Sequence, residues 1–339
     1  MDLLSRVLAF TEVSTRDVSE EWDPRWHVGA IEDRTRAERR RAIAWLHEWR
    51  EELDWLADRL ADEASRETLM RVLAHRVAGS RRVLLGLGRQ VSEQLTDFAA
   101  SSLTVAPAAG DEFPAFPRYR LDAIGLDLRV ISAPMFAIGT FVLEQYRHPQ
   151  IESANVRSGD VVIDGGAFWG DTTLWFADQI GASGRVIAFE PDPVNRSVLE
   201  ANLRANAEHG SRVEIRAEAL WDSALPLHLT PQGGGSTVAP APEGDVRGVS
   251  LDELRRRGEL PRVDFLKLDV EGAELNVLRG ARDLIRETPP RLAVAVYHHP
   301  DDVVTIPRLL GDLVPTYRFA ITHQSFHQYD TMLFAWTEA

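Results

Sequence analysis

A chain of 339 residues with 44% hydrophobic content can bury a sizeable core and, by its length, suggests two domains more readily than one. It has no cysteine, which excludes disulfides, thiolate metal sites and cysteine nucleophiles, so any catalysis has to use carboxylates, histidines, hydroxyls or a cofactor. A net charge of −14 argues against nucleic acid or an anionic membrane as partner, no apolar run approaches the roughly 20 residues that cross a bilayer, and the first residues lack a secretory leader, so the cytoplasm is the expected compartment.

Residues 1–100 read as a helical N-terminal region. Leu46, Trp49, Leu53, Leu56 and Leu60 recur at steps of three and four and line one face of a helix. A second helix is predicted from the cap Asp62 to a stop at Gly79. Such stripes imply a core, a lid over an acceptor or a homo-oligomer contact. Residues 101–150 read as a linker rich in small residues and proline, a short β-hairpin around Gly125, and a helix from Phe136 to Tyr146. Residues 151–339 then alternate strand and helix. Strands are predicted at Asp160–Gly165, Arg185–Glu190, Val213–Ala217, Val263–Asp269 and Leu292–Tyr297, with helices after Thr172 and over Pro193–Ala207, Ser250–Arg257, Ala273–Arg286 and Val303–Leu313. This is an α/β pattern with a parallel sheet. YRFAITHQ and DTMLFAW are too close for a crossover helix and must pair antiparallel, and residues 231–244 read as an irregular excursion.

Two of the strands end on carboxylates beside glycine. VVIDGGAFWGDTT places Asp164 at the end of the first strand, with Gly166 and Gly170 turning the chain tightly into a helix that opens on Asp171 and Thr172. Glu190, followed by Pro191, ends the second strand, where a carboxylate can accept hydrogen bonds from two ribose hydroxyls. A nicotinamide-dependent oxidoreductase would want G-x-G-x-x-G to seat a pyrophosphate. Here the spacing is G-G-x-x-x-G, the loop is filled by Phe168 and Trp169, and Asp171 repels phosphate. A neutral or cationic nucleoside fits better, and S-adenosyl-L-methionine is one.

The segments GDVVIDGGAFWGDTTLWFA, VIAFEPDPVNRSVLEANLRAN and, above all, KLDVEGAE resemble the FkbM-type methyltransferases, over roughly Phe141 to Trp336. The resemblance implies a class I (Rossmann-like) methyltransferase sheet with a C-terminal antiparallel strand pair. It also implies S-adenosylmethionine as methyl donor and, as acceptor, a hydroxyl of a sugar, polysaccharide or secondary metabolite, in natural-product or polysaccharide biosynthesis. One departure is Phe168, which stands where the general methyltransferase loop often has a glycine. A fold-retaining binding or assembly protein without turnover is the alternative outside enzymology.

KLDVEGAE carries the remaining candidates. Lys267 is the single lysine among 38 basic residues, and by strand alternation it shares a face with Asp269, where an ion pair would keep the aspartate ionised. Asp269 and Glu271 follow the fourth strand and should face the transferring methyl or the acceptor hydroxyl; capping the next helix is the structural reading of Glu271. His298, His299, His323 and His327 lie at or past strand ends. His298 can serve as the base that takes a hydroxyl proton, or can join Asp269 and Glu271 in holding Mg2+ or another divalent metal; the sequence leaves both open.

Overall fold

The computed structural model describes residues 2–14, 16–22, 31, 33–107, 110–324 and 330–338; His327 lies outside them. Seven strands form the central sheet: β1 Val161–Gly165, β2 Arg185–Phe189, β3 Val213–Arg216, β4 Phe265–Leu268, β5 Arg291–Ala295, β6 Arg318–Thr322 and β7 Met332–Trp336. Their spatial order is 3-2-1-4-5-7-6. β1 to β5 run parallel, and β7 is antiparallel to both β5 and β6, as the short connection between the last two strands requires. Burial of both faces explains why these strands read as continuous apolar runs instead of alternating. Strand order reverses between β1 and β4, so the carboxyl ends of these two strands open a crevice.

The N-terminal helices are α1 Leu3–Val13, α2 Arg36–Glu48, α3 Arg50–Arg59, α4 Glu63–Ala78 and α5 Arg89–Phe98. Local chemistry sets their ends. Asp2 and Asp62 accept the Ser5 and Ser65 N–H groups, Thr35 and Glu38 form a reciprocal capping box, and Gly79 stops α4 at φ 89°. The stripe from Leu46 to Leu60 is not one helix, because the backbone leaves helical geometry at Trp49, where α2 ends and α3 begins. That turn carries the end of α3 to the outer edge of β6. There Leu60 bridges Phe319, the Ala61 N–H donates to the Phe319 carbonyl at 2.8 Å, and the Ile321 N–H donates to Ser65 Oγ at 3.0 Å. A β6 edge that would otherwise invite another chain is thereby covered. Leu46, Leu53, Leu56, Leu60, Leu69 and Leu73 share one buried cluster with Leu292, Leu310 and Phe319. The helices therefore complete the core on one face of the sheet and do not stand apart from it. A chain truncated to begin at Arg118 is expected to aggregate, because it exposes this apolar face and the β6 edge together; a monodisperse peak in size-exclusion chromatography would contradict that.

Helices α6 Asp171–Gln179, α7 Pro193–Ala205, α8 Leu251–Arg256, α9 Glu274–Arg279, α10 Arg282–Glu287 and α11 Asp302–Leu313 flank the sheet. The single helix expected over Ala273–Arg286 is broken at Gly280 into α9 and α10. The supposed irregular excursion is ordered: Ala219–Leu220, Val246–Val249, Pro226–Thr230 and Thr237–Pro240 form a four-stranded sheet, and Gly233–Gly235 sits at the tip of its hairpin. The helix expected over Phe136–Tyr146 is shorter. It comprises Pro134–Ala137 and a wide turn over Ile138–Val142, after which Tyr146 enters the crevice.

Candidate active site

The carboxylate that ends β1 is inaccessible to a ligand. Asp164 is fully buried; Oδ2 accepts the Thr172 and Thr173 hydroxyls at 2.9 and 2.6 Å, and Oδ1 lies 3.0 Å from Lys267 Nζ. Lys267 reaches across from β4 and donates to the carbonyls of Gly165 at 3.0 Å and Gly166 at 2.7 Å. Its ion pair is thus with Asp164, not with Asp269 as strand alternation suggested. Burial pulls the ammonium pKa down, but the carboxylates of Asp164, Asp269 and Asp171 outweigh it and hold the group above its ordinary value. Asp164 acts through Lys267 and the first turn of α6, and together they fix the glycine loop. An arginine fork has no room where a slim ammonium already meets two carbonyls and a carboxylate.

The loop itself is shaped by close approach. A Cβ on Gly166 (φ 77°) would stand 1.9 Å from the Asp269 carbonyl oxygen, so only glycine lets the ends of β1 and β4 meet. Gly170 (φ 82°) seats α6 against Leu199. Phe168 keeps the backbone a glycine would have, with φ 50°, and its ring stacks on Trp169 at 4.8 Å and meets Phe136 edge-on at 5.0 Å. Glu190 Oε2 accepts the Phe168 N–H at 2.7 Å and Oε1 the Asp192 N–H at 2.9 Å, which ties the loop to the end of β2. Burial is the main reason its pKa is pushed up to about 7, against the opposing effect of these N–H donors. Glu190, Pro191, Asn195, Leu220, Val238 and Val270 line a first cleft. Asn195 holds the Gly233 carbonyl at 3.0 Å and Ser236 Oγ donates to Asp192 at 2.9 Å, so the hairpin tip closes one wall.

A second cleft adjoins the first and shares Gly166, Phe168, Gly234, Asp269 and Glu271 with it. Thr140, Tyr146, Asp171, Thr172, Lys267 and Tyr297 complete much of its wall. Asp171 is buried, and burial pushes its pKa up to about 6. Asp269 is clasped from both sides, accepting the Tyr146 hydroxyl on Oδ2 at 2.7 Å and the Tyr297 hydroxyl on Oδ1 at 2.9 Å. Glu271 does not cap a helix. It sits at φ 54° in the turn before α9, and its carboxylate is 3.3 Å from His298 Nε2. His298 Nε2 also lies 3.6 Å from Asp269, and Nδ1 lies 2.9 Å from Glu274. Burial lowers the imidazole pKa, yet the three carboxylates outweigh it and push it up to about 11. Three carboxylates around the ring favour its protonated form, which weighs against the base expected at His298. His299 is structural, with its ring on the Gly272 carbonyl at 3.0 Å and its N–H on Asp302.

Asp164, Gly166, Gly170, Asp171, Thr172, Glu190, Lys267, Asp269, Glu271 and His298 do gather at one end of the sheet, around β1, β2, β4 and β5. Three contributors escaped sequence reasoning. Tyr146 is 123 residues from Asp269 and at the end of a segment that reads as a helix, so nothing local announced it. Tyr297 stands next to His298 at the same strand end, so its place beside the site is legible in the sequence. Glu274 closes the KLDVEGAE string, and its role needed the fold of the turn to be visible. No residue before 133 lines either cleft among the described residues; the walls come instead from 135–146 and the hairpin tip.

The profile of the Methyltransferase FkbM domain matches residues 154–331. Methyltransferase sdnD of Sordaria araneosa is 33% identical over 38% of this chain and 62% of its own. Hexuronic acid methyltransferase AglP of Haloferax volcanii is 28% identical over 42% of this chain and 62% of its own. The chain thus spans about three fifths of the length of the curated relatives it matches. Among solved structures, methyltransferase FkbM from Methylobacillus flagellatus KT superposes with a TM-score of 0.55 at 19% identity, covering 86% of this chain and 60% of that one. No helix among the described residues is long and apolar enough to cross a membrane.

Proposed function

The chain belongs to the FkbM methyltransferase family, and from that premise we propose that it moves a methyl group from S-adenosylmethionine to a hydroxyl oxygen of a sugar or secondary metabolite. The observation that carries this reading is the junction of the two clefts at Gly166, Phe168, Gly234, Asp269 and Glu271. The first cleft fits the donor's nucleoside. Glu190 offers a buried carboxylate whose Oε2 retains a lone pair beyond the Phe168 N–H it accepts, while Oε1 takes the Asp192 N–H and, at 3.5 Å, the Asn195 amide; Leu220, Val238 and Val270 offer apolar surface to a purine. Gly166, Asp171 and Thr172 would hold the amino-acid end. Bound there, S-adenosylmethionine supplies a methyl group on a sulfonium.

The protein's own contribution is alignment and charge. An acceptor in the second cleft meets the hydroxyl-bearing wall of Thr140, Tyr146 and Tyr297, and Asp269 and Glu271 face the place where a hydroxyl must lose its proton as the new C–O bond forms. A glycosyl acceptor is favoured by the hexuronic acid methyltransferase relative.

Two results test the donor site. Glu190→Ala should weaken S-adenosylmethionine binding roughly 5- to 150-fold by calorimetry, the about 1–3 kcal/mol of a charged hydrogen-bond acceptor. In the wild type, affinity should fall as pH drops from 8 to 6, because protonation near 7 removes the acceptor the ribose needs; Glu190→Gln should be weak and flat across that range. Turnover is then read by mass spectrometry, as transfer of a deuterated methyl group from labelled donor to glycosyl and hydroxylated metabolite panels. Tight donor binding with no transfer to any acceptor would favour a fold-retaining binding protein instead.

A further inference from the structure

Building on the reading of the second cleft as the acceptor side, we propose that Asp269, Glu271 and His298 bind a divalent metal cation there, with Glu274 as the positioning residue that turns the His298 ring toward it. The three come from the turn after β4 and the end of β5, and one donor atom of each lies within 4.8 Å of the others. Ligands around an ion with ~2.1 Å bonds stand about 3 to 4 Å apart, so small side-chain rotations close the set.

The histidine points to a ligand independently of the acids. Its side chain is nine-tenths buried; Nε2 faces Glu271 at 3.3 Å and Asp269 at 3.6 Å, contacts of charge in which neither ring nitrogen makes a well-aligned hydrogen bond. Nδ1 lies 2.9 Å from Glu274 Oε1. Glu274 is itself buried and anchored by the Val270 N–H at 2.8 Å. A carboxylate behind Nδ1 favours keeping the proton on that nitrogen, so Nε2 is the one a metal would take. The cation takes the place of the Nε2 proton.

Charge and backbone agree with this. Asp269, Glu271 and Glu274 converge on one imidazole, Lys267 is committed to Asp164 and two carbonyls, and no arginine lines either cleft among the described residues. The left-handed backbone at Glu271 is unfavourable for a residue with a side chain, and it is what aims this carboxylate at His298. Tyr146 and Tyr297 each occupy one lone pair on Asp269, which leaves each oxygen another for a monodentate bond. Two carboxylates and one imidazole suit Mn2+ among the hard to borderline cations. Three protein ligands leave positions open, so the acceptor class is one with two adjacent oxygens, a vicinal diol or a hydroxy acid, whose hydroxyl the ion acidifies while its proton passes to water.

The test is Mn2+ binding to chelator-stripped protein without S-adenosylmethionine, read by loss of the free Mn2+ electron paramagnetic resonance signal and by calorimetry. One Mn2+ per chain is expected, with affinity at least tenfold weaker in His298→Ala and Glu271→Gln. Glu274→Gln keeps an oxygen for the ring N–H and should retain more binding than Glu274→Leu, at matched thermal melting. Absence of saturable uptake by the wild type, or wild-type uptake by His298→Ala, overturns the site. Donor affinity measured on the same samples separates the two readings: metal binding lost with donor binding intact sinks this inference alone, and donor binding absent with metal binding intact sinks the donor site.

Discussion

Lys267→Met should cost about 3–5 kcal/mol of folding stability, the usual result of removing one member of a buried ion pair and leaving the other charge uncompensated. Asp164 would remain in a fully buried position with only the Thr172 and Thr173 hydroxyls for company, and the Gly165 and Gly166 carbonyls would lose their donor. At roughly 2–4 °C per kcal/mol for chains of about 150–250 residues, and less for a longer one, the melting temperature should fall by about 5–15 °C. Asp164→Asn combined with Lys267→Met should recover part of the loss, because the stranded charge is then gone. The pH sign follows from the raised ammonium pKa. The pair's contribution is full below the ordinary lysine value of 10.5 and is lost as pH rises through the higher folded-state value, so it shows as an alkaline limb missing from Lys267→Met. Melting within a degree or two of wild type would show that the pair does not hold the loop. Donor affinity should fall alongside stability, since Lys267 fixes the loop that both clefts share.

Asp269→Asn should lower turnover by about 10²- to 10⁴-fold, the range for a group that assists proton removal at the reacting oxygen, while changing donor affinity less than threefold. The substitution keeps the shape of the side chain and one carbonyl oxygen for a tyrosine hydroxyl, so a folding defect is not the expected cause. An interaction used mainly in the transition state lowers kcat and kcat/KM together, which is the signature to look for. Tyr146→Phe and Tyr297→Phe each remove one hydroxyl from Asp269 and should give smaller losses. Wild-type turnover by Asp269→Asn would remove the chemistry from the β4 end altogether, whatever becomes of the proposed metal.

Much of the fold can be read from local pattern because its determinants are local. Alternating apolar strands and amphipathic helices from Val161 onward, and the short connection between β6 and β7, dictate a parallel sheet with an antiparallel tail. Asp164, Gly166, Glu190 and Asp269 mark its strand ends through their residue types alone. Strand edges, by contrast, carry no local code for their neighbours. Nothing in the Leu46–Leu60 stripe said that the chain would turn at Trp49 and cover β6, nor that residues 226–240 would form a sheet whose glycine tip walls the first cleft.

The assignment of partners was beyond the sequence for the same reason. Spacing placed Lys267 and Asp269 on one face, yet β1 lies beside β4 in register, Lys267 opposite Asp164, so the ammonium finds Asp164 across the strand pair. Sequence determined which residues with chemical capacity end the strands: the acids, the glycines, the lysine and the histidine. Tertiary structure decided what each one faces. Charge interactions and hydrogen bonds depend on distances set by packing between elements far apart in sequence, 123 residues between Tyr146 and Asp269 and 256 between Ser65 and Ile321, whereas periodicity and turn chemistry depend only on neighbours along the chain.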